Sequence, residues 1–213
     1  MRAGRCPSEV KLIAVSKGVG AEAVKNAVEN GIRDLGENRV QEAQNKISFI
    51  KACLPDSRVK WHLIGHLQKN KAKIAVKLFD MIHSVDSLEL AVLIDKNAAE
   101  IGKKQKILLQ VKLSYEESKH GILKENIGEV LGEMRHLSNL NVEGLMTIPP
   151  YFNDPEKARP FFRELRELKD KAVQAGFSLS ELSMGMSNDF EVAIEEGATI
   201  VRVGTAIFGE RSY

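Results

Sequence analysis

Lys17 is the residue of this sequence whose position most favours covalent chemistry. It directly follows a short apolar run, residues 11–16, that has the length of a buried strand. A lysine at a strand end is ordinarily solvated, because burying its charge is costly. A desolvated amine, or one beside another cation, loses its proton more readily, and the neutral form attacks carbonyl groups. The position therefore fits either a solvated lysine or an amine nucleophile held in a site.

Two segments late in the sequence, 183–189 and 201–205, have the composition of an anion site, and we call them together the phosphate cradle. Each is a short apolar strand that ends in small, hydrogen-bonding residues, and the segment between them predicts one helix over 190–196. Asn188 is predicted to cap that helix, with Glu191 completing a capping box. The unpaired N–H groups and positive dipole end at a helix start favour an anion.

Ser187, Gly204 and Thr205 are the candidate phosphate contacts within the cradle. Glycine allows the backbone to approach a phosphate closely, and the two hydroxyl groups add donors. The same residues also fit an ordinary helix start and an ordinary strand-end turn. Taken singly, they do not decide between the two interpretations.

Arg202 lies inside a predicted strand, between Val201 and Val203. Side chains alternate along a strand, so the arginine points to the face opposite the two valines. If that face is buried, the charge needs a partner. A structural ion pair is one interpretation, and a guanidinium that donates to a ring nitrogen of a ligand is the other.

Apolar runs of strand length alternate with helical periodicity along the whole sequence, which has no linker rich in Pro, Gly or Ser. The predicted strands are residues 11–16, 32–35, 61–64, 81–85, 106–113, 142–148, 182–184 and 200–203, and the helix after the fifth is predicted over 122–137. This alternation implies parallel strands joined by right-handed crossovers. It predicts a single α/β domain over 1–213, a (β/α)8 TIM barrel, with an open doubly wound sheet as the alternative.

Active sites of such barrels lie where the C-terminal ends of the strands meet, and phosphate sites follow the last two strands. Lys17 and the cradle are both expected at that face. Residues 37–39, which include Asn38, are predicted to form a polar turn there. His62, His66 and His83 have no metal-ligand spacing, and we interpret them as structural or ring-stacking residues.

Composition places the chain among ordinary globular proteins, with 43% hydrophobic and 28% charged residues. A net charge of +2 gives no electrostatic case for nucleic acid or a membrane surface as partner. Cys6 and Cys53 fit neither a metal site nor a disulfide framework, and no apolar stretch has the length of a signal peptide or membrane span. We therefore expect a cytoplasmic protein.

Ten short stretches resemble the family of the pyridoxal phosphate homeostasis proteins, and they occur in that family's order. They are AVSK (14–17), GENRVQE (36–42), WHLIG (61–65), LQ (67–68), NK (70–71), HG (120–121), GLMTI (144–148), SMGMS (183–187), VRVG (201–204) and IFG (207–209). The resemblance covers the chain from about residue 11 to its end. One such stretch arises by chance, whereas an ordered set of this size does not.

The resemblance implies a barrel of the alanine racemase N-terminal domain type that binds pyridoxal 5′-phosphate. By the same resemblance, Lys17 would hold the cofactor as an imine (a Schiff base), Arg202 would face the pyridine nitrogen, and Asn38 would lie near the ring. The phosphate would be held by Ser187, Gly204 and Thr205.

A cation at the pyridine nitrogen disfavours protonation of the ring, which weakens the cofactor as an electron sink. Racemases that resemble this barrel complete their site with a second domain and a tyrosine, and the sequence ends at Tyr213, soon after the eighth predicted strand. Tyr115 and Tyr151 are the candidate substitutes for that tyrosine.

Three hypotheses follow. The first is a monomeric carrier that stores pyridoxal phosphate and delivers it to apo enzymes, with little or no turnover. The second is an amino-acid racemase that uses Lys17 as a base. The third is a barrel enzyme in which Lys17 forms an imine with a phosphorylated sugar.

Overall fold

Nine β-strands and eight α-helices alternate through residues 3–114 and 120–209, the part of the chain that this computed structural model describes. The strands are β1 (Lys11–Val15), β2 (Asp34–Glu37), β3 (Lys60–Leu63), β4 (Met81–Val85), β5 (Gln105–Lys112), β6 (Ile122–Leu123), β7 (Leu140–Met146), β8 (Glu181–Met186) and β9 (Ile200–Val203). The helices are α1 (Ala21–Glu29), α2 (Val40–Cys53), α3 (Ala72–Leu78), α4 (Leu88–Glu100), α5 (Ile127–Met134), α6 (Arg159–Gln174), α7 (Phe190–Glu195) and α8 (Thr205–Phe208). None of these described helices combines the length and apolar character that crossing a membrane requires.

Eight of the strands close into a parallel barrel in the order β1, β2, β3, β4, β5, β7, β8, β9, with β9 returning to pair with β1. The short β6 pairs with the end of β5 and stands outside this ring. The predicted (β/α)8 barrel is therefore confirmed. The open doubly wound alternative is wrong, because β4 pairs with β5 and leaves the ring no free edge. The single domain over 1–213 stays a prediction.

The barrel interior holds an apolar layer and, further along the strands, polar side chains. Five buried residues form a cluster separate from the shell between strands and helices: Ile13, Met81, Leu108, Met146 and Ile200. His83 lies two residues after Met81, and Arg202 lies two residues after Ile200. The period of two along a strand puts each of these on the same inner face as its predecessor. Arg202 therefore points into the barrel, as its alternation predicted.

The second strand lies two residues later than predicted, at Asp34–Glu37 instead of 32–35. Gly36 does not stop the strand. A Cβ at Gly36 would lie 2.7 Å from Cγ2 of Ile13, so the glycine lets β2 pack closely against β1. As a result Glu37 is a fully buried strand residue. The predicted polar turn is wrong at this residue.

The segment predicted as one helix over 122–137 is divided in the structure. Its first two residues pair with Val111 and Lys112 and form β6, and a short 3-10 turn precedes α5 at Ile127–Met134. Hydrophobic periodicity marks the apolar positions of both elements in the same way, so it did not reveal the local pairing with β5.

Candidate functional site

A cleft of about 520 Å³ opens where the C-terminal ends of the strands meet. Its walls contain all six residues that were predicted to hold the cofactor: Lys17, Asn38, Ser187, Arg202, Gly204 and Thr205. The apolar part of the lining is Val15, Ile64, Ile148 and Met186. The fold thus brings the predicted lysine, arginine and cradle into one cavity, on the barrel face where they were expected.

Lys17 reaches the cleft from the turn after β1. Ser16 is fully buried and Lys17 is half-buried. Within the described part of the chain, no group accepts a hydrogen bond from Nζ of Lys17, and no carboxylate forms an ion pair with it. A half-buried amine with no such partner is free to react with a ligand, which supports the nucleophile interpretation over the solvated one.

A buried ionic cluster anchors the chain directly before Lys17. The Ser16 hydroxyl donates to Oε1 of Glu37 at 2.6 Å, and Nζ of Lys46 donates to the same oxygen at 2.7 Å. Lys46 also donates to the backbone carbonyl of Ser16 at 2.5 Å. Burial raises the pKa of Glu37, although the bonds from Lys46 and Ser16 oppose that shift. Its other oxygen, Oε2, is buried without a partner among the described residues.

Glu42 fixes the residue on the other side of Lys17. Its Oε1 accepts from the backbone N–H of Gly18 at 2.6 Å and from Nζ of Lys46 at 2.6 Å. Lys46 therefore holds Ser16 directly and Gly18 through Glu42. The turn that carries Lys17 is clamped on both sides, so the amine has a defined position in the cleft.

Two helix starts form the cradle. The backbone N–H of Gly204 donates to the Ser187 hydroxyl oxygen at 3.2 Å, which joins the ends of β8 and β9. Thr205 is the first residue of α8, so its N–H group and that of Ala206 have no intrahelical acceptor, whereas those of Ile207 and Phe208 donate to the carbonyl of Gly204. These donors face the cleft side of the barrel, where an anionic group would satisfy them.

The predicted cap at Asn188 is wrong. The Asn188 side chain instead donates to the backbone carbonyl of Phe152 at 2.9 Å, and Asp189 occupies the cap position of α7. The Asp189 carboxylate accepts from the N–H of Met186 at 2.6 Å. Adjacent Asn and Asp residues are both good caps, so the sequence did not distinguish them.

Arg202 is buried and makes its direct contacts with neutral groups. Its Nη1 donates to the Ser183 hydroxyl at 2.6 Å, and its Nη2 donates to the carbonyl of Thr147 at 2.9 Å. Burial lowers its pKa to about 10, and the charge of Asp189 opposes that shift. Arg202 therefore still carries a positive charge at neutral pH. Among the described residues no carboxylate lies within ion-pair distance of it, so the ion-pair interpretation is not supported.

A chain of hydrogen bonds continues from Arg202 through the barrel interior. The Ser183 hydroxyl lies 2.9 Å from Nδ1 of His83, and Nε2 of His83 lies 3.0 Å from Nδ1 of His62. Nε2 of His62 lies 2.9 Å from Oδ1 of Asp34. We call these five residues the interior relay. The two histidines were predicted to be structural, and no sequence signal marked Ser183 or Asp34 as their partners, because only the closed barrel brings these five strands together.

A second cluster lies beside the cleft. His66 and His120 stack with ring centroids 3.8 Å apart and planes 13° from parallel, and Asp86 Oδ2 lies 3.2 Å from His66 Nδ1 and 3.8 Å from His120 Nδ1. The candidate ligand atoms of the three residues lie within 4.8 Å of one another. Sequence spacing had not indicated this grouping. Stacked rings, however, place their nitrogens side by side, whereas tetrahedral coordination requires the rings to diverge around the ion.

A closed parallel barrel with a lysine after its first strand and an anion cradle after its last two strands is the combination that defines the class of this protein. The family model described as "Alanine racemase, N-terminal domain" matches residues 2–212. Alanine racemase from Clostridium difficile is 19% identical, with a TM-score of 0.74, over 98% of this chain and 53% of the racemase chain. At that identity the likeness concerns the fold.

This chain covers almost the entire length of its more similar relatives. The pyridoxal phosphate homeostasis protein of Aquifex aeolicus is 46% identical over 213 residues, which are 100% of this chain and 92% of the relative. The corresponding Escherichia coli protein is 39% identical and 90% covered. PipY of Synechococcus elongatus, solved with pyridoxal phosphate bound, is 42% identical with a TM-score of 0.89, over 98% of this chain and 96% of PipY. The chain therefore belongs to the family of the pyridoxal phosphate homeostasis proteins.

Proposed function

We propose that this protein binds pyridoxal 5′-phosphate in the cleft, holds it as an imine on Lys17, and stores and delivers it in the cytoplasm with little or no turnover. The observation that carries the proposal is the single cleft in which a half-buried amine faces a hydroxyl- and amide-lined cradle. PipY, which has the same fold, was solved with pyridoxal phosphate bound. When bound, that cofactor supplies a reactive aldehyde and an electron-withdrawing ring.

The residues of the cleft match the parts of the cofactor. Ser187, Gly204 and Thr205 offer hydroxyl and backbone donors to the phosphate group. Arg202 and Asn38 line the same cleft, where Arg202 would offer a donor to the pyridine nitrogen and Asn38 would lie near the ring. The apolar lining suits the faces of a planar ring.

Arg202 is one reason that we expect a carrier. Its guanidinium is donor-only and charged at neutral pH, so it favours an unprotonated ring nitrogen. An unprotonated ring withdraws electrons weakly and stabilises a carbanion poorly. The same arrangement leaves the formation and hydrolysis of an imine unimpaired, since those steps need no carbanion.

Delivery of the cofactor tests the carrier function directly. The protein is loaded with pyridoxal phosphate, freed of excess by gel filtration, and mixed with a purified apo enzyme whose activity reports the cofactor. Activity is expected to return faster than with an equal concentration of free cofactor in the presence of a competing scavenger protein. Recovery no faster than from free cofactor would refute delivery. Light scattering on the same sample tests the expected monomer.

Gly185, one of the two glycines in the cradle, is expected to be essential. Gly185 has a φ of +91°, and a Cβ there would lie 2.6 Å from Cβ of Ala193 and 3.0 Å from Cα of Phe190 in α7. Gly185→Ala should therefore destabilise the protein by about 2 to 5 kcal/mol and weaken cofactor binding, because backbone strain and the clash add. Urea unfolding and cofactor titration measure the two effects.

Gly176→Ala is the matched control for that variant. Gly176 also has a positive φ, +87°, but its Cβ would meet nothing within 4 Å. It should cost about 1 to 2 kcal/mol and leave cofactor affinity unchanged. Equal effects of the two variants would contradict the role of close packing between Gly185 and α7.

A racemase is the second candidate, and one observation favours it. Tyr151 lines the same cleft as Lys17, with 76% of its surface exposed. Tyr115, the other predicted substitute, lies outside the described residues. We expect no catalysed exchange of the Cα hydrogen of L- or D-alanine with deuterated water, because the acid–base pair lacks a sufficient electron sink. An exchange rate about a hundredfold above free cofactor, lost in Tyr151→Phe, would establish the racemase instead.

The third hypothesis, an imine with a phosphorylated sugar, has a simple test. Protein that acquires no visible absorbance band from added pyridoxal phosphate would favour it. The family relationship gives it no support.

A further inference from the structure

The interior relay contains two end groups whose hydrogen-bonding roles are fixed. The Arg202 guanidinium only donates, so the Ser183 oxygen must accept from it. At the other end, the hydrogen bond from His62 together with the charges of Lys11 and Lys60 lowers the pKa of Asp34 against the effect of burial. An ionised carboxylate only accepts, so Nε2 of His62 must carry a hydrogen.

For a neutral His62, the two ends determine where every proton between them lies. A neutral His62 with its hydrogen on Nε2 has a bare Nδ1, so Nε2 of His83 must donate to it. Burial lowers the pKa of His83 well below the ordinary value, and the charge of Arg202 lowers it further, so His83 is neutral. Its Nδ1 is therefore bare, and the Ser183 hydroxyl donates to it. All four donors point away from Arg202 and toward Asp34.

The alternative arrangement is less complete. If His62 were protonated, its Nδ1 would donate to His83, and Nδ1 of His83 would then donate to the Ser183 oxygen. That oxygen would accept twice, and in the described part of the chain its own hydrogen would have no acceptor. An unsatisfied buried hydroxyl is costly, so the unidirectional arrangement is favoured.

We propose that Asp34, at the end of the barrel away from the cleft, is a positioning residue that acts on Arg202 through the interior relay. Its negative charge polarises the relay, so that the Ser183 oxygen accepts strongly from Nη1 and fixes the orientation and charge of the guanidinium. This deepens the proposed function and rests on it, because Arg202 is taken to face the ring nitrogen of the cofactor. The bound ring would then sense a charge at the far end of the barrel.

The first test uses the protein without cofactor and is independent of the proposed function. Long-range ¹H–¹⁵N spectra of the imidazole groups, assigned with single histidine variants, identify the protonated nitrogen of each ring. His62 and His83 are both expected as neutral Nε2–H tautomers at pH 7.5. Either ring found charged, or with its hydrogen on Nδ1, would overturn the relay.

The second test concerns transmission to the cofactor. Asp34→Asn keeps an acceptor for His62 but removes the charge, and Glu181→Gln removes a charge at the start of β8, outside the interior relay. In protein loaded with pyridoxal phosphate, Asp34→Asn should shift the apparent pKa of the visible band by about 0.5 to 1 unit, while Glu181→Gln should leave it unchanged.

Equal shifts in the two variants, or none in either, would refute transmission. If the wild-type protein gives no visible band with pyridoxal phosphate, the proposed function fails instead, and the tautomer result still decides the structure of the relay. A merely structural role for Asp34 would lower the free energy of unfolding without moving the pKa of the band.

Discussion

Replacing Lys17 with alanine is expected to abolish the visible band that the protein acquires with pyridoxal phosphate, and to abolish borohydride-trapped labelling. The amine is half-buried in the cleft, and the turn that holds it is clamped by Lys46 and Glu42. The cradle remains in the variant, so weakened noncovalent binding should persist. We expect affinity to fall by at least about tenfold, which corresponds to 1.4 kcal/mol. Absorbance titration and mass mapping of the reduced adduct measure both effects.

Lys112→Ala provides the control. Lys112 lines the neighbouring cavity, so it is another lysine near the barrel mouth. Its removal should leave the band and the labelled peptide unchanged. An unaltered band in Lys17→Ala, or a label on Lys112 in the wild-type protein, would contradict the assignment of the imine to Lys17.

The second large effect is expected from Lys46→Met, which should lower the free energy of unfolding by about 3 to 5 kcal/mol at pH 8. The change leaves Glu37 buried with an uncompensated charge and releases the carbonyl of Ser16. Without Lys46, the pKa of Glu37 rises further above that of an unfolded glutamate. Stability is then lost as pH rises above the unfolded pKa, because the unfolded chain ionises freely. Urea unfolding at pH 5.5 and pH 8 should show the smaller loss at the lower pH.

The double variant Glu37→Gln with Lys46→Met separates charge from packing. The glutamine is neutral and still accepts from the Ser16 hydroxyl, so most of the lost stability should return. A single variant as stable as the wild-type protein at pH 8, or a double variant no better than the single one, would show that the ion pair is unimportant.

The barrel and the six cleft residues were predictable because they follow from local rules. Apolar runs of strand length alternate with helical segments, and parallel strands present their C-terminal ends on one face. Lys17 directly after a strand and Arg202 inside one were therefore placed by strand order alone. Element boundaries were less accurate, as at β2, where Gly36 continues the strand against Ile13 instead of ending it.

The interior relay and the clamp around Lys17 were not predictable in this way. They depend on register, for example on the pairing of His62 with Met81 that brings two histidines of neighbouring strands into contact. A single sequence carries no information on register between strands that are distant in the chain. The two buried charges Glu37 and Lys46 were missed for the same reason, since each alone resembles an exposed residue.

The pairing of β1 with β9 has a consequence for how the protein is made. The registers Ile13 with Arg202 and Ala14 with Val203 join the first strand of the barrel to its last. Lys17 leaves the ribosome early, yet its partners in the cleft emerge only when almost the whole barrel has been synthesised. Capture of the cofactor must therefore follow the last and most nonlocal step of folding. A bound cofactor then reports ring closure, and it stabilises the entire barrel rather than one part of it.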